Sequence, residues 1–170
     1  MLTSNPETLT DRELLELYGR VLGTLRTRGV IRSANNPVAD YVEGLCQRAL
    51  KLTLANKSTT GYDGIDPSDR KIEIKARRIT KENGSRQLSA IRGLEHGHFD
   101  FLAGILFKAD FAVWKGCLIP YAVIKQYSTH TAHTNSHRFL LRDAVWSLPG
   151  VQDITEALKK TERESGAELP

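Results

Sequence analysis

Three side chains near the middle of the chain have the types and the spacing for work on phosphate: Asp63, Glu73 and Lys75. The segment Lys71-Ile72-Glu73-Ile74-Lys75-Ala76-Arg77 alternates charged and apolar residues without a break. Period two is the signature of a β-strand. On such a strand Ile72, Ile74 and Ala76 face a core, while Glu73 and Lys75 share the opposite face with Lys71 and Arg77. Gly61-Tyr62-Asp63-Gly64-Ile65-Asp66 is a short strand candidate a hairpin's distance upstream. Two carboxylates and an ammonium converging from adjacent strands suit metal-dependent hydrolysis of a phosphodiester. Carboxylate oxygens match a hard cation such as Mg²⁺, which keeps most of its waters. A lysine beside them can stabilise charge as it develops.

An acid-x-Lys triplet alone says little. With 20 acidic residues and ten lysines in 170 positions, about one such triplet arises by chance. The chain holds two, Asp69-Arg70-Lys71 and Glu73-Ile74-Lys75. The first falls on a turn, Pro67-Ser68-Asp69, and has a charged middle residue. The second lies in the alternating strand, so context selects it. The bland alternative is an amphipathic strand whose charged face meets solvent.

The elements that must hold these residues are legible in outline. Thr10-Asp11-Arg12-Glu13 has the form of a capping box, and Leu14, Leu17, Tyr18, Val21, Leu22 and Leu25 follow at helical spacing. Gly29 can end that helix. Asn36-Pro37 reads as a helix start, with Val38, Tyr41, Val42 and Leu45 on the apolar face that follows. Phe99 to Phe107 is a continuous apolar run of strand length, interrupted by Asp100. Phe111 to Trp114 and Cys117 to Ile119 read as two strand pieces around a turn at Lys115-Gly116. Pro120 marks a strand end. A short helix is expected around Leu88 to Leu94, a polar loop from Thr129 to His137, a short strand from Arg138 to Leu141, and a last helix capped by Asp153-Ile154-Thr155-Glu156. This order predicts one α/β domain with a mixed central sheet flanked by helices.

Composition bounds the rest. At 170 residues, 40% hydrophobic and 26% charged, the chain is ordinary globular material for about one domain. No apolar stretch approaches the roughly 20 residues of a membrane span, so no membrane partner is expected. The first residues carry neither a basic nor an apolar leader region. Only two cysteines occur, Cys46 and Cys117, read as reduced, buried small hydrophobes, which fits a cytoplasmic location. Net charge is +4, but seven basic residues stand against two acidic ones between Arg70 and Arg86. That local excess points to a polyanion. Arg77, Arg78, Lys81 and Arg86 follow the alternating strand directly and are placed to contact phosphates without reading sequence.

Gly61-Tyr62-Asp63, nine intervening residues and Glu73-Ile74-Lys75, with a helix carrying Glu43 before them and the apolar strand after, together resemble the PD-(D/E)XK or restriction-endonuclease-like nuclease superfamily. The likeness covers about Pro37 to Val123 and is greatest to small prokaryotic members. It implies a restriction-endonuclease-like core over about 37–123, an added N-terminal helix at about 10–28 and a C-terminal extension over about 124–170. It implies hydrolysis of nucleic-acid phosphodiesters with Mg²⁺ or Mn²⁺, DNA being the favoured substrate, in the manner of an endonuclease used in prokaryotic defence. Asp63 and Glu73 would hold the metal, with Lys75 as the catalytic lysine. Glu43 would be an outer or second-metal ligand. The carbonyl of Ile74, between the two catalytic side chains, would add a ligand, and Gln87 falls where some members place a polar group near the metal. The family also implies a homodimer. One departure is plain: Tyr62, not Pro, precedes Asp63. Asp66 is the rival first ligand, and the Gly-Tyr-Asp context favours Asp63. A non-catalytic nucleic-acid-binding or accessory protein on the same fold is the alternative.

His130, His133 and His137 sit at spacings of three and four, which would bring them to one helical face for Zn²⁺, but their neighbours read as loop. Trp114 and Trp146 read as core or interface residues rather than as platforms for bases.

Overall fold

The computed structural model describes residues 5–33, 37–56 and 59–167. Backbone contacts divide the chain into two compact units, one ending at Tyr41 and the other beginning at Val42.

In the first unit, helix α1 runs Asp11–Thr27. The capping box is formed: Glu13 N–H donates to Thr10 Oγ1 at 3.4 Å, and Thr10 N–H donates to Glu13 Oε2 at 2.8 Å. Gly29 closes the end at φ +69°, in the left-handed region that glycine enters at little cost. Helix α2, Pro37–Ala49, begins in this unit and continues into the second. The expected cap residue Asn36 lies outside the described residues.

The second unit is α/β with a mixed sheet. Its strands are β1 Thr53–Leu54, β2 Gly64–Ile65, β3 Lys71–Arg78, β5 Phe101–Phe107, β6 Val113–Pro120 and β9 Gln152–Asp153, in spatial order β1-β2-β3-β5-β6-β9. Among the described residues, only β3 and β5 pair in parallel. A parallel pair needs a long crossover. Here the crossover contains β4, Ile91–Arg92, which joins β7, Thr129–Thr131, and β8, Ser136–Arg138, in a second, antiparallel sheet of order β4-β8-β7. Helix α3, Tyr121–Tyr127, follows β6 directly, and α4, Thr155–Ala167, packs on β6.

Strand β5 is buried on both faces, which is why its sequence is apolar without alternation. Leu102 and Leu106 join Leu88, Phe139, Leu141 and Ile119 in the main core. On the other face Ile105 approaches Leu158 of α4 across Gly116. Burial along β3 keeps to the alternation: Ile72 and Ile74 are buried, and Lys71, Glu73 and Lys75 are not. Among the described residues no helix is long and apolar enough to cross a membrane.

Several local expectations are corrected. The segment from Leu88 to Leu94 is not helical; Leu88 N–H donates to Phe139 O at 3.0 Å, and extended pairing wins because this stretch lies on the main sheet as part of its core. Strand β6 is continuous through Lys115-Gly116. Gly116 marks a close approach rather than a turn, since a Cβ there would collide with Leu158. Residues 129 to 138 form a β-hairpin instead of a loop and the strand expected from Arg138 ends there, with only Leu140 bridging to Gln87. The C-terminal extension over 124–170 adds an edge strand, β9, to the main sheet.

Candidate metal and phosphate site

The site forms where β2 ends and β3 continues. Gly64 pairs with Ile72 and Ile65 with Lys71, so extending the register by one residue sets Asp63 opposite Glu73. Asp63 continues the ladder in two ways. Its N–H donates to Ile72 O at 2.8 Å, and its Oδ2 accepts the N–H of Ile74 at 2.6 Å. The side chain thus substitutes for the backbone of a strand that has already turned away. In a strand, the N–H and C=O of one residue point to the same side. The carbonyl of Ile74 therefore lies on the same edge as the Asp63 carboxylate.

The turn before Asp63 needs glycine. Gly61 sits at φ +93°, and a Cβ at this position would collide with His98. Tyr62, in the place the resemblance gives to proline, packs against the main core, with Lys71 Nζ 5.4 Å from its ring centre.

Glu73 and Lys75 share a face of β3, and their side chains form an ion pair, Lys75 Nζ to Glu73 Oε1 at 2.5 Å. Their accessibility is low, 13% for Glu73 and 20% for Lys75. Burial pushes the Glu73 carboxyl up; Lys75 opposes that, the negative charge of Asp63 adds to it, and the net direction is up. Asp63 and Glu73 therefore feel each other as like charges, which is the arrangement a cation relieves. Beside Lys75 in the β3–β5 ladder stands Gly104, where a Cβ would lie 3.1 Å from Leu141 Cδ2. The absence of a side chain there lets Leu141 and Leu88 pack directly over Gly104.

Glu43 lies on α2, one turn before Cys46. The Cys46 thiol is pushed strongly up, by burial first and then by the charges of Asp63 and Glu43. Glu43 and Asp63 thus both act on one buried sulfur, and Cys46 is a neutral thiol with no nucleophilic character.

Asp66, the rival ligand, is occupied elsewhere. Its Oδ1 accepts from the N–H groups of Ser68 and Arg70 at 2.9 and 3.0 Å, and its Oδ2 meets Arg70 Nε at 2.7 Å. Burial raises its pKa, but these bonds and the Arg70 charge outweigh it, and the net shift is downward. A depressed carboxyl contributes stability that is present above its ordinary value of 3.8 and is lost as pH falls through the folded value. Asp66→Asn is therefore expected to cost about 1–3 kcal/mol near neutral pH. In thermal melts the gap to wild type should narrow as pH falls below 3.8, while any activity assigned to Asp63 stays unchanged. A gap that persists undiminished at low pH would sink this reading of the turn.

The basic residues divide. Arg77 continues the Glu73–Lys75 face beside Leu106, and its Nε is buried without a hydrogen-bond partner. Arg78 Nε donates to Ala109 O at 2.8 Å, and its guanidinium lies 4.2 Å from the Phe111 ring centre. Lys81 is exposed in the turn that follows. Arg86 pairs with Asp143 at 3.1 Å and stacks 4.4 Å from the centre of Trp114. Lys115 also meets Asp143, at 2.9 Å, and lies 4.4 Å from the centre of Trp146. Asp143 and Lys115 are far from Arg86 in sequence, so only the folded chain reveals this cluster. Gln87 bridges to Leu140 through its backbone.

The histidines regroup as well. His130 and His137 face each other across the β7–β8 ladder with ring centres 5.0 Å apart, and His133 sits in the connecting turn. Glu95 is held below the usual carboxylate range, by a hydrogen bond from its own backbone first, with smaller effects of His96, His137 and His130.

Among the described residues no three His, Cys, Asp or Glu side chains form a ready-made cage for a metal ion. Mg²⁺ does not need one: it binds through one or two carboxylates and keeps several waters. Asp63, Glu73 and the Ile74 carbonyl fit that hard, oxygen-only demand, whereas the histidine pair does not match it. Compared with known families and curated proteins, the chain matches no family model and no curated protein.

Proposed function

We propose that this protein is a divalent-metal-dependent nuclease that hydrolyses nucleic-acid phosphodiesters, acting on DNA as an endonuclease. The observation that carries the reading is the junction of β2 and β3. There the Asp63 carboxylate bonds the Ile74 N–H, while Glu73 and Lys75 meet on the adjoining face. Asp63, Glu73 and the Ile74 carbonyl would hold Mg²⁺ or Mn²⁺. When bound, such an ion lowers the pKa of a water and offsets the charge that builds on phosphate. Lys75 is positioned by Glu73 and supplies a proton donor and positive charge at the reacting phosphate. Arg77, next along the same face, orients a neighbouring phosphate. Arg78, Lys81 and Arg86 line the segment that follows, although Asp143 offsets the charge of Arg86.

A non-catalytic nucleic-acid binder is the second reading, favoured by the closed Glu73–Lys75 pair. Cleavage assays separate the two. Plasmid, linear duplex, single-stranded DNA and RNA are each incubated with Mg²⁺, Mn²⁺ or EDTA. The nuclease reading expects cleavage that needs the metal and is absent in Glu73→Gln and Lys75→Ala. Binding that survives EDTA, without cleavage of any substrate, supports the second reading.

Cation binding is testable without activity. At a hundredfold excess over Kd, a bound ion stabilises the fold by about 2.7 kcal/mol. For a chain of this size that raises Tm by about 5–10 °C. The rise should occur with Mn²⁺ or Mg²⁺ at neutral pH and vanish in Asp63→Asn. A Tm indifferent to both ions would remove the metal from the mechanism.

A further inference from the structure

We infer that His130 and His137 form a two-histidine chelate for a borderline divalent cation such as Zn²⁺, distinct from the oxygen site of Asp63 and Glu73. The two histidines stand directly opposite each other on the β7–β8 ladder. That position in an antiparallel pair holds the Cβ atoms about 4.5–5.5 Å apart. Their ring centres are 5.0 Å apart and the rings are inclined at 55°. An ion bound tetrahedrally by two imidazoles, each nitrogen at about 2.0–2.1 Å, holds their ring centres roughly 5 Å apart. The hairpin thus presents the two rings at the spacing that chelation requires.

Hydrogen bonding leaves a nitrogen for the ion on each ring. His130 Nε2 lies 3.4 Å from Asn135 Oδ1, which can only accept, so Nε2 carries the proton and Nδ1 keeps the lone pair. An outer partner of this kind fixes the tautomer of a metal-bound histidine. His137 Nδ1 is buried without a hydrogen-bond partner, a state ordinarily relieved by water or an ion. Negative charge lies close by. Strand β4 pairs Ile91 with His137, and Glu95 follows four residues later. Its carboxyl, held down by its own backbone first, also responds to His96, His137 and His130. That charge attracts a cation without having to coordinate it. Imidazole nitrogen favours Zn²⁺, Ni²⁺ or Cu²⁺, whereas carboxylate and carbonyl oxygens favour Mg²⁺ or Mn²⁺. Strands β7 and β8 have three residues each, and a hairpin so short is marginal by itself. A cation held by both strands clips it. This inference is independent of the proposed catalysis.

Calorimetric titration of ZnCl₂ into the untagged full chain at about pH 7.5 tests it, because a bound imidazole must be neutral. The ion should bind wild type and Asp63→Asn alike, which separates this site from the proposed catalytic metal. Kd should be on the order of 1–100 µM, weaker than a four-ligand structural site. His130→Gln and His137→Gln should each weaken binding at least about tenfold, since loss of even an outer partner costs about 10–100-fold. His133→Gln, in the exposed connecting turn, and His96→Gln should bind as wild type does. Circular dichroism shows that each variant is folded. Hydrogen exchange of the amides from 129 to 138 should slow several-fold with Zn²⁺ in wild type and stay unchanged in His137→Gln. Absence of saturable binding below about 1 mM overturns the inference. So does binding untouched by the His130 and His137 changes. Loss confined to His96→Gln moves the ion to the neighbouring His96–His98 pair, and overturns it too.

Discussion

Lys75→Ala is expected to lower the rate of metal-dependent cleavage by about 10²–10³-fold, the usual loss when one preorganised charge donor is removed from a transition state. Glu73→Gln should do at least as much, on the order of 10³-fold, because it takes away a metal ligand and the group that holds Lys75. The geometry makes these two effects interdependent. Lys75 Nζ and Glu73 Oε1 are in direct contact at 2.5 Å on a partly buried face, so neither side chain has its native position without the other. The double variant should therefore be little worse than the more severe single one, as for residues that act as a unit. Steady-state kinetics at saturating Mn²⁺ would show the loss in kcat rather than in KM. Melting curves for each variant guard against the trivial outcome, since removing Glu73 leaves a half-buried ammonium unpaired. If both variants are stably folded and cleave at the wild-type rate, the site is not catalytic. If both are inactive while Arg77→Ala changes mainly KM, the division of labour proposed along the β3 face is supported.

The second large effect concerns the fold that carries this face. Leu158 of α4 is fully buried and lies directly over Gly116 of β6, close enough that no side chain fits beneath it. Leu158→Ala should cost about 2–5 kcal/mol through lost burial and the cavity left behind. Gly116→Ala should cost about 1–3 kcal/mol through overpacking. The two changes are complementary in shape, because the methyl added at 116 enters the space vacated at 158. The double variant is therefore expected to be more stable than the sum of the single effects predicts, with a coupling of about 0.5–3 kcal/mol. Chemical denaturation of the four proteins measures this cycle directly. Strict additivity would mean that α4 moves away from β6 rather than packing in register with it. Strand β6 borders β5, and β5 borders β3, so this contact bears on the strand that presents Glu73 and Lys75.

Both expectations draw on features that differ in how far they could be read before folding. The alternation from Lys71 to Arg77 is a local property of consecutive residues, and a strand obeys it wherever one face is buried. Helix α1 and its capping box are local in the same sense, since Thr10 and Glu13 are three residues apart. The continuous apolar run of β5 likewise announced a strand, and its burial on both faces appeared only in the structure. The selection of Glu73-Ile74-Lys75 over Asp69-Arg70-Lys71 followed from the same local rules, whereas the preference for Asp63 over Asp66 came from the Gly-Tyr-Asp context of the resemblance. Asp69 does lie in a turn, at φ +59°.

What the tertiary structure decided was everything set by residues distant along the chain. The bond from Ile74 N–H to Asp63, rather than to Asp66, depends on where β2 stops pairing, and that register is a property of two strands together. The Arg70 partner that occupies Asp66 could not be distinguished in advance from solvent-facing charge. The crossover between β3 and β5 formed a second sheet instead of a helix because its pairing partner, β8, lies far downstream. Gly116 looked like a turn residue until α4 came to rest on it. The pairings of Arg86 and Lys115 with Asp143 have the same origin. Periodicity and caps act between neighbours on one element, so the amino-acid order alone specifies them. Register, close approach and charge pairing act across elements, so they exist only once the chain has chosen which elements touch.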